Sequence, residues 1–431
     1  MKRRDVLRIG GLAAAAFGTR VASSEAQTRA DAALPPSIAA LTSMRSQARP
    51  ISNDERLARI EKARRLMASS KLDAMLLTGG TSLTYFTGLR WGNSERLMAL
   101  VVPAKGDAFI VCPAFEVDRL NEQLRQSPLQ RTEIRSWQEN ESPYQRVAQT
   151  LRERGIATGR LGIEETVRFV FANGVAAALP SMTVTSATPV TAGCRMIKDA
   201  HELELLRLAC RATLTCYAAV FAALQPGMTE TTATALLAAG YARLGFRGSA
   251  SVQVGQYTAL PHGSEEPQTI RENSIVMIDD GCVVEGYQSD LTRTFVLGKA
   301  TDKMKRVFDI VSSAQRAAHG AARPGATLAS VDAAARKVIV DAGFGPGFSF
   351  FTHRLGHGLG MDMHEWPYLI EHNMFGWESP ALQPGMVFSN EPGIYIPGEF
   401  GIRLEDDMVI TSNGAELLTP PSTSIERPFD A

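Results

Sequence analysis

Four acids and one histidine in the second half of the chain could together bind divalent metal ions: Asp279, Asp290, His357, Glu391 and Glu405. The hairpin-like segment GCVVEGYQS separates Asp279 from Asp290 and would return both carboxylates to one end of a sheet. Glu391 follows a predicted strand in SNEPGIY, and Glu405 lies in GIRLEDDMVI, which is also predicted as a strand. Converging carboxylates repel one another unless cations neutralise them, and this oxygen-rich set suits Mn, Co, Zn or Fe. The sequence therefore predicts a site for two divalent cations.

Histidines are concentrated in the same half of the chain. Three of them lie in the glycine-rich segment FTHRLGHGLGMDMHEWP, which contains Gly356, Gly358 and Gly360, and His372 follows it. We expect these glycines to let the backbone turn closely around a buried ligand. Alone, the segment would also fit an ordinary loop whose histidines have hydrogen-bond partners. Beside the acids, it indicates part of a metal site.

The segments that carry these residues resemble those of a known family. IDDGCVVEGYQSDLTRTF resembles the D-x-G and D-x-T-R-T motifs of the metallopeptidase family with the pita-bread fold (M24). HRLGHGLGMDMHEWP is similar to its histidine segment, and NEPGIYIPGEFGIRLEDD to its E-P-G and G-x-R-x-E-D motifs, in the same order and spacing. With ALPHG and YFTGLRWGNSERLMAL, the resemblance covers about residues 55–425. Within the family, the chain most resembles Xaa-Pro peptidases, and its additional N-terminal domain argues against methionine aminopeptidase.

The resemblance implies a role for each metal ligand. Asp279 would bind one ion, His357 and Glu391 would bind the other, and Asp290 and Glu405 would bridge both. A water held between ions about 3.5 to 4 Å apart would be the nucleophile, because coordination lowers its pKa towards neutrality. Glu391 would also accept the proton of this water.

Four further residues match positions that act in catalysis in this family: His262, His353, His364 and Arg403. His262 and His364 match residues that contact the scissile carbonyl or the tetrahedral intermediate, and His353 matches a histidine of the substrate pocket. Arg403 lies two residues before Glu405, on the same face of the predicted strand, and would orient the carboxylates. Ordinary packing or surface pairing is the alternative for all four.

Two residues near these motifs have no assigned role. Asp280 occupies a position that is often small in relatives, so it stays outside the ligand set, although its charge could perturb the metal site. In this family the N-terminal domain, often that of a neighbouring subunit, narrows the entrance to the site. Trp91 in TGLRWGNSER is a candidate for that wall, and an ordinary aromatic at the domain boundary is the alternative.

The surrounding elements indicate an α+β chain of two domains. Residues 53–190 would form a smaller α/β domain of the creatinase type, since ERLARIEKARRLMASSKLDAMLLTG predicts a helix running into a strand and MALVVPAKGDAFIVCP predicts two strands. We expect the boundary at residues 183–194, which are polar and turn-rich without a helical period. Residues 195–425 would form the catalytic pita-bread domain, beginning with a long amphipathic helix.

The second domain contains an internal pseudo-duplication. PGMTETTATALLAAGYARLGF begins at Pro226 and PGATLASVDAAARKVIVDAGF at Pro324, and each predicts a Pro-Gly turn, an N-capped helix and a glycine stop. SIVMIDDG and MVFSNEPG also align, which places Asp279 opposite Glu391. We therefore expect an acid at the end of each of two equivalent strands.

The N-terminus predicts an exported protein. Residues 1–26 resemble a twin-arginine (Tat) signal, with Arg3 and Arg4 before a mildly apolar Gly/Ala-rich stretch that is too short to span a bilayer. Cleavage would leave Gln27 as the first residue of a Pro/Ser/Ala-rich tether over residues 27–52. We expect a periplasmic location, and an amphipathic helix of the folded protein is the alternative for the first stretch.

Composition excludes several classes of protein. The 45 Lys and Arg residues balance 45 Asp and Glu residues, and no basic run is interleaved with aromatics, so we expect no nucleic-acid partner. After the signal no apolar run reaches about 18 residues, so we expect no contact with the membrane. The cysteines are too scattered for a disulfide framework or a zinc site: Cys112, Cys194, Cys210, Cys216 and Cys282.

Together these observations predict a dinuclear metallo-exopeptidase that hydrolyses the Xaa-Pro bond at the N-terminus of short peptides. Mn is the expected metal, and the resemblance implies a homodimer. Aminopeptidase P and prolidase types both stay open, because they differ in how the pocket treats the carboxylate of a dipeptide. Two other classes remain as alternatives: a creatinase-like hydrolase or lyase acting on a non-peptide C–N bond, and a non-catalytic pita-bread binding module. Creatinase-like relatives usually lack the full metal set that this chain has.

Overall fold

The computed structural model of this protein describes residues 34–372, 377 and 380–430. The predicted signal over residues 1–26 and its cleavage before Gln27 lie outside the described residues. Within the described part of the chain, no helix is both long enough and apolar enough to cross a bilayer.

The first half of the chain alternates short helices and strands. They are α1 (Pro36–Ala39), α2 (Asn53–Ser69), β1 (Ala74–Thr78), α3 (Thr81–Thr87), β2 (Ala99–Pro103), β3 (Phe109–Pro113), α4 (Val117–Leu124), β4 (Glu133–Trp137), α5 (Pro143–Glu153), β5 (Gly159–Ile163), α6 (Phe169–Ala178), β6 (Met182–Ser186) and α7 (Thr188–Arg195).

Strands β1 to β6 form a mixed sheet in the order β4-β3-β2-β1-β5-β6. Strands β1, β2 and β3 pair antiparallel, and the other neighbours pair parallel. Successive side chains of a strand enter opposite faces, so Leu77 packs with α2 and α7 while Leu76 packs with α5 and α6. Helices therefore cover both faces of the sheet, which confirms the predicted α/β domain.

The residues predicted as a turn-rich boundary form regular structure instead. Residues 182–186 are the edge strand β6, and residues 188–195 are the helix α7. An edge strand can be polar where it faces solvent, and a helix of eight residues is too short to show a clear period. Val190 and Cys194 of α7 are fully buried in the core of the first domain.

Residues 34–52 pack against the second domain rather than forming a free tether. Ile38 is fully buried, and Ser37 Oγ donates to the Ala219 carbonyl at 2.7 Å. Arg243 Nη2 donates to the Ala39 carbonyl at 2.9 Å. Apolar residues spread along this Pro/Ser/Ala-rich segment, from Leu34 to Ile51, pack against the core of the second domain and hold the segment there.

The second half of the chain contains two helix pairs and the remaining strands. They are α8 (Ala200–Phe221), α9 (Glu230–Leu244), β7 (Arg247–Val254), β8 (Ser274–Val284), β9 (Tyr287–Gln288), β10 (Arg293–Leu297), α10 (Asp302–Ala321), α11 (Leu328–Asp341), β11 (His357–Gly358), β12 (Glu365–Tyr368), β13 (Val387–Asn390), β14 (Gly393–Ile396), β15 (Phe400–Arg403), β16 (Asp406–Ile410) and β17 (Ala415–Leu417).

Each helix pair packs on one sheet of the second domain. Helices α8 and α9 share a core with the β10-β8-β7 sheet, to which β9 is also paired. Helices α10 and α11 share a second core with the β12-β11-β13-β16-β17 sheet and the β14-β15 hairpin. This arrangement confirms the predicted pita-bread domain within an α+β chain.

The pseudo-duplication is visible in the starts of the two equivalent helices. Thr229 caps α9 and Thr327 caps α11, and each hydroxyl accepts a hydrogen bond from the backbone N–H three residues later. The prediction that an acid ends each of two equivalent strands is only half correct. Glu391 directly follows β13, but β8 continues five residues beyond Asp279 because it enters the hairpin to β9.

Candidate metal centre

The five predicted metal ligands converge where the two halves of the second domain meet. Side-chain atoms lie within 4.8 Å of one another in each of three overlapping groups. The groups are Asp279, Asp290 and Glu405; His357, Glu391 and Glu405; and Asp290, His357 and His364. Asp290 and Glu405 each belong to two groups, as residues that bridge two cations would. His364 reaches the cluster although the sequence did not predict it as a ligand.

Each ligand comes from a different part of the sheet framework. Asp279 lies within β8, and Asp290 lies between β9 and β10. His357 begins β11, and Glu391 follows β13. Glu405 lies in the two-residue connection between β15 and β16, not within a strand as predicted. The site therefore forms only when the strands of both halves are assembled.

The hydrogen bonds of His357 leave one ring nitrogen available for a cation. Nδ1 lies 3.2 Å from the Gly358 carbonyl, to which it donates, so Nε2 is the nitrogen that faces the acids and can either donate to Glu391 or, once deprotonated, bind a cation. Nε2 lies 3.2 Å from Glu391 Oε1 and 3.6 Å from Asp290 Oδ2. These contacts place a basic nitrogen and two carboxylates around one point.

Glycines let the backbone around His357 approach its neighbours closely. A Cβ on Gly356 would lie 2.0 Å from the Ser389 carbonyl oxygen, and a Cβ on Gly358 would lie 2.2 Å from that of Trp366. Neither glycine has a positive φ. The predicted need for glycine is thus explained by contact with β13 and β12, rather than by a tight turn.

The electrostatics of the cluster favour bound cations. Burial and then the charges of neighbouring carboxylates raise the pKa values of Asp290 and Glu405 well above the usual range. Burial also opposes ionisation of Glu391, but hydrogen bonding to His357 and nearby positive charges outweigh it and lower its pKa to about 2. Buried acids that repel one another in this way fit divalent cations, which would neutralise them.

Arg403 and Thr292 connect the carboxylates of Asp279 and Glu405 through hydrogen bonds. Arg403 Nη2 donates to Asp279 Oδ2, and its Nε donates to Thr292 Oγ1 at 3.0 Å. Thr292 Oγ1 lies 2.6 Å from both Asp279 Oδ1 and Glu405 Oε2. The predicted orienting position of Arg403 therefore has a structural basis. The role of Thr292 was not predicted from the sequence, because the residue lies in the connection between β9 and β10, where no strand period indicates its direction.

The three predicted catalytic histidines line one cavity beside the cluster. His353 Nδ1 donates to the Arg354 carbonyl at 2.7 Å, and Nε2 lies 2.7 Å from Tyr395 Oη, which accepts from Arg403. Burial lowers the pKa of His353. Burial and the charge of His357 lower the pKa of His364 to about 4. His353 and His364 are thus neutral at neutral pH and can donate or accept hydrogen bonds.

Tyr395 is a second residue of the site whose role was not predicted from the sequence. Its hydroxyl joins Arg403 to His353, yet a tyrosine in a strand is ordinary, so its type alone gave no signal. The cavity has a volume of about 500 Å³, and His262 also lines it.

Asp280 and Trp91, which had no assigned role, line two different cavities. Asp280 lines the same cavity as the metal ligands, and burial together with the charge of Asp279 raises its pKa to about 7. Trp91 lines a different cleft of about 560 Å³ between the two domains, and its ring lies 4.7 Å from the Arg119 guanidinium carbon. Trp91 does not line the metal-site cavity of its own chain.

The pita-bread fold and its buried cluster of carboxylates and histidine together place this protein in the class of metallopeptidases. Residues 204–412 match the model of metallopeptidase family M24, and residues 59–197 match the creatinase/prolidase N-terminal domain. The chain belongs to metallopeptidase family M24, which confirms the predicted family and class of enzyme.

Similar proteins cover more than four fifths of this chain. A probable dipeptidase, PepE, from Mycobacterium tuberculosis is 36% identical over 365 residues, which are 83% of this chain and 92% of that protein. An Xaa-Pro dipeptidase from Lactobacillus delbrueckii subsp. lactis is 31% identical over 375 residues, covering 85% of this chain and 98% of the relative.

Solved structures show the same architecture. The crystal structure of dipeptidase PepE from Mycobacterium ulcerans has a TM-score of 0.79 and 35% identity, covering 88% of this chain and 98% of that chain. A prolidase from Thermococcus sibiricus has a TM-score of 0.75 and 28% identity, covering 86% of this chain and 98% of that chain.

Proposed function

We propose that this protein is a dinuclear metal-dependent peptidase that hydrolyses Xaa-Pro dipeptides. The proposal rests on two overlapping groups of possible ligands, which share Glu405. Asp290 belongs to one group and His357 to the other, and Asp290 Oδ2 lies 3.6 Å from His357 Nε2. Relatives named as dipeptidase and Xaa-Pro dipeptidase support the choice of a prolidase-type activity over aminopeptidase P.

The residues around the cavity have separate tasks in this reaction. Two divalent cations at the cluster would polarise the scissile carbonyl and acidify the attacking water. Glu391, whose pKa is held at about 2, is ionised and can accept a proton from that water. The neutral His364 and the exposed His262 can donate hydrogen bonds to oxygen atoms of the substrate. Arg403 and Thr292 keep the carboxylates in position.

Arg354 supports a preference for dipeptides. Its guanidinium carbon lies 4.5 Å from the centre of the Tyr368 ring, and the residue lines the cavity. Within the described part of the chain, Arg354 forms no ion pair, whereas Arg403 is bound to Asp279. A guanidinium without an ion-pair partner suits a substrate carboxylate, and the proline of an Xaa-Pro dipeptide has one.

This assignment of Arg354 is tested with Ala-Pro and its C-terminal amide, Ala-Pro-NH2. The native enzyme should prefer Ala-Pro, and Arg354→Gln should lose most of that preference through a higher KM for Ala-Pro. Arg354→Lys, which keeps the charge, should retain part of it. The exposed Arg316→Gln on α10 is the matched control. An unchanged preference in Arg354→Gln would contradict the role of Arg354.

The native metal, export and assembly are further parts of the proposal. Mn fits the oxygen-rich ligand set, although Co, Zn and Fe also fit it. The Tat-like signal over residues 1–26 supports export to the periplasm, and replacing Arg3 and Arg4 by Lys should keep the protein in the cytoplasm. A homodimer follows from the family resemblance, and sedimentation of the purified protein tests it.

A further inference from the structure

The substrate cavity contains a carboxylate that the metal cluster does not use. Asp280 follows Asp279 in β8 but belongs to none of the groups whose atoms could hold a cation. Neighbouring side chains of a strand normally point to opposite faces. Asp280 has a φ of 106°, outside the extended range, and both residues line the same cavity. The backbone therefore directs a further acid into the space that the substrate must enter.

This acid has no cationic partner in the described part of the chain. Arg403, whose charge lies nearby, forms its ion pair with Asp279 and not with Asp280. No Lys or His side chain in that part of the chain forms an ion pair with Asp280 either. Its backbone carbonyl, by contrast, is well satisfied, because it accepts from Tyr217 Oη at 2.8 Å and from the Leu291 N–H at 3.2 Å. The backbone holds the residue in place, and its carboxylate, which the backbone N–H of Ser251 also stabilises, has no ion-pair partner in the described part of the chain.

The net charge of the site with two divalent cations bound indicates which kind of group would bind the Asp280 carboxylate. The four ligand carboxylates balance two divalent cations, and Arg403 leaves the cluster with one positive charge. A peptide that is cleaved after its first residue must bring its α-ammonium group close to this positive cluster. A negative charge beside Asp279 would make that approach favourable.

We propose that Asp280 binds the α-ammonium group of the substrate and restricts the enzyme to peptides with a free N-terminus. The inference rests on the proposed function, since it places the scissile bond at the metal cluster. The α-ammonium is preferred over a Lys or Arg side chain because it is only a few bonds from the scissile carbonyl, and Asp280 is the chain neighbour of a ligand.

The test compares Ala-Pro with propionyl-proline, which has the same shape but lacks the ammonium group. The native enzyme should prefer Ala-Pro, and Asp280→Asn should raise the KM for Ala-Pro by about 10- to 100-fold with a much smaller change for propionyl-proline. Metal content is measured in parallel and should stay unchanged. Asp309→Asn, an exposed acid on α10, is the matched control.

A third substrate separates the two possible ammonium groups. If Asp280→Asn weakened only Lys-Pro and left Ala-Pro unchanged, Asp280 would bind a side chain and the assignment to the α-ammonium would be wrong. An equal loss for Ala-Pro and propionyl-proline would also overturn the proposal, because it would indicate a general structural effect.

A binding experiment keeps the inference testable if the native enzyme does not hydrolyse Ala-Pro. Calorimetry would then compare alaninamide with propionamide on the metal-loaded protein. The proposal predicts that alaninamide binds more tightly to the native protein and loses this advantage in Asp280→Asn. Equal affinities for the two amides in the native protein would overturn it, whereas absence of hydrolysis alone would contradict only the proposed function.

Discussion

The hydroxyl oxygen of Thr292 lies 2.6 Å from Glu405 Oε2. The same oxygen lies 2.6 Å from Asp279 Oδ1, although a hydroxyl has only one hydrogen to donate. Arg403 Nε donates to this oxygen at 3.0 Å and brings a positive charge to the junction. Thr292 therefore links a proposed bridging carboxylate to a proposed terminal one and fixes the distance between them.

Replacing Thr292 by Val should weaken metal binding. The change keeps the shape of the side chain but removes the hydroxyl that orients Asp279 and Glu405. Residues that orient metal ligands are worth about 10- to 100-fold in affinity or activity, and we expect a loss in that range. Competition with a chelator measures the affinity. Thr292→Ser keeps the hydroxyl and should stay close to the native protein, so an equal loss in both variants would contradict this role.

Asp290→Asn should abolish hydrolysis while preserving the fold. A bridging ligand contributes to both cations, so activity should fall by more than the roughly 100-fold typical of groups that only orient ligands. In the metal-free protein the substitution should not lower the melting temperature, because it removes an acid whose pKa burial and neighbouring acids raise. Full activity in this variant, or a clear destabilisation without metal, would show that Asp290 has another role.

Gly356→Ala should damage the site through the backbone. Its Cβ would lie 2.0 Å from the Ser389 carbonyl oxygen, so β11 and β13 would have to separate and carry His357 away from Glu391. Overpacking typically costs about 1 to 3 kcal/mol of unfolding free energy, and contact with backbone allows little relief. We expect a lower melting temperature together with lost metal binding. Gly414→Ala, where the added carbon meets no neighbour, is the control.

The contacts of Glu55 with Ser52 and His201 should make the stability of the protein depend on pH. Burial raises the pKa of Glu55, but hydrogen bonds from Ser52 and His201 outweigh burial and lower this pKa from 4.5 to about 2. A lowered carboxyl pKa in the folded state stabilises the protein above pH 4.5, and this contribution disappears as the pH falls towards about 2.

Denaturation of the metal-free protein at several pH values measures this effect. The native protein should be more stable than Glu55→Gln near neutral pH, and the difference should shrink between pH 4.5 and about 2. Glu61→Gln, on the exposed side of the same helix, controls for the loss of one charge. A difference that grows towards low pH would contradict the assignment.

The convergence of the five proposed metal ligands could be predicted from sequence because each occurs in a motif with distinctive neighbours. Thr292 and Tyr395 could not, since their hydroxyls gain a function only when the fold brings Arg403 of β15 against both of them. That contact depends on Thr294, whose hydroxyl donates to the Arg403 carbonyl at 2.7 Å and accepts from the Arg403 N–H at 3.2 Å. The direction of Asp280 depends on one backbone angle, which no residue pattern indicated.

Secondary structure was least predictable at exposed or short elements. The helix α7 and the edge strand β6 lack the apolar period that revealed α8, whose Asp199 and Glu202 form a reciprocal cap. Residues 34–52 were predicted as part of a tether because the segment is rich in Pro, Ser and Ala, yet Ile38 is fully buried against the second domain.

We propose that metal ions bound by Asp279, Asp290, His357, Glu391 and Glu405 make this protein an Xaa-Pro dipeptidase. The most direct test is release of alanine from Ala-Pro and from Ala-Pro-Ala by protein stripped of metal and then supplied with Mn, Co or Zn. We predict no activity without metal, activity on Ala-Pro after Mn is restored, and little cleavage of the tripeptide. Efficient cleavage of Ala-Pro-Ala would indicate an aminopeptidase P, and no cleavage of either peptide with metal bound would contradict the account.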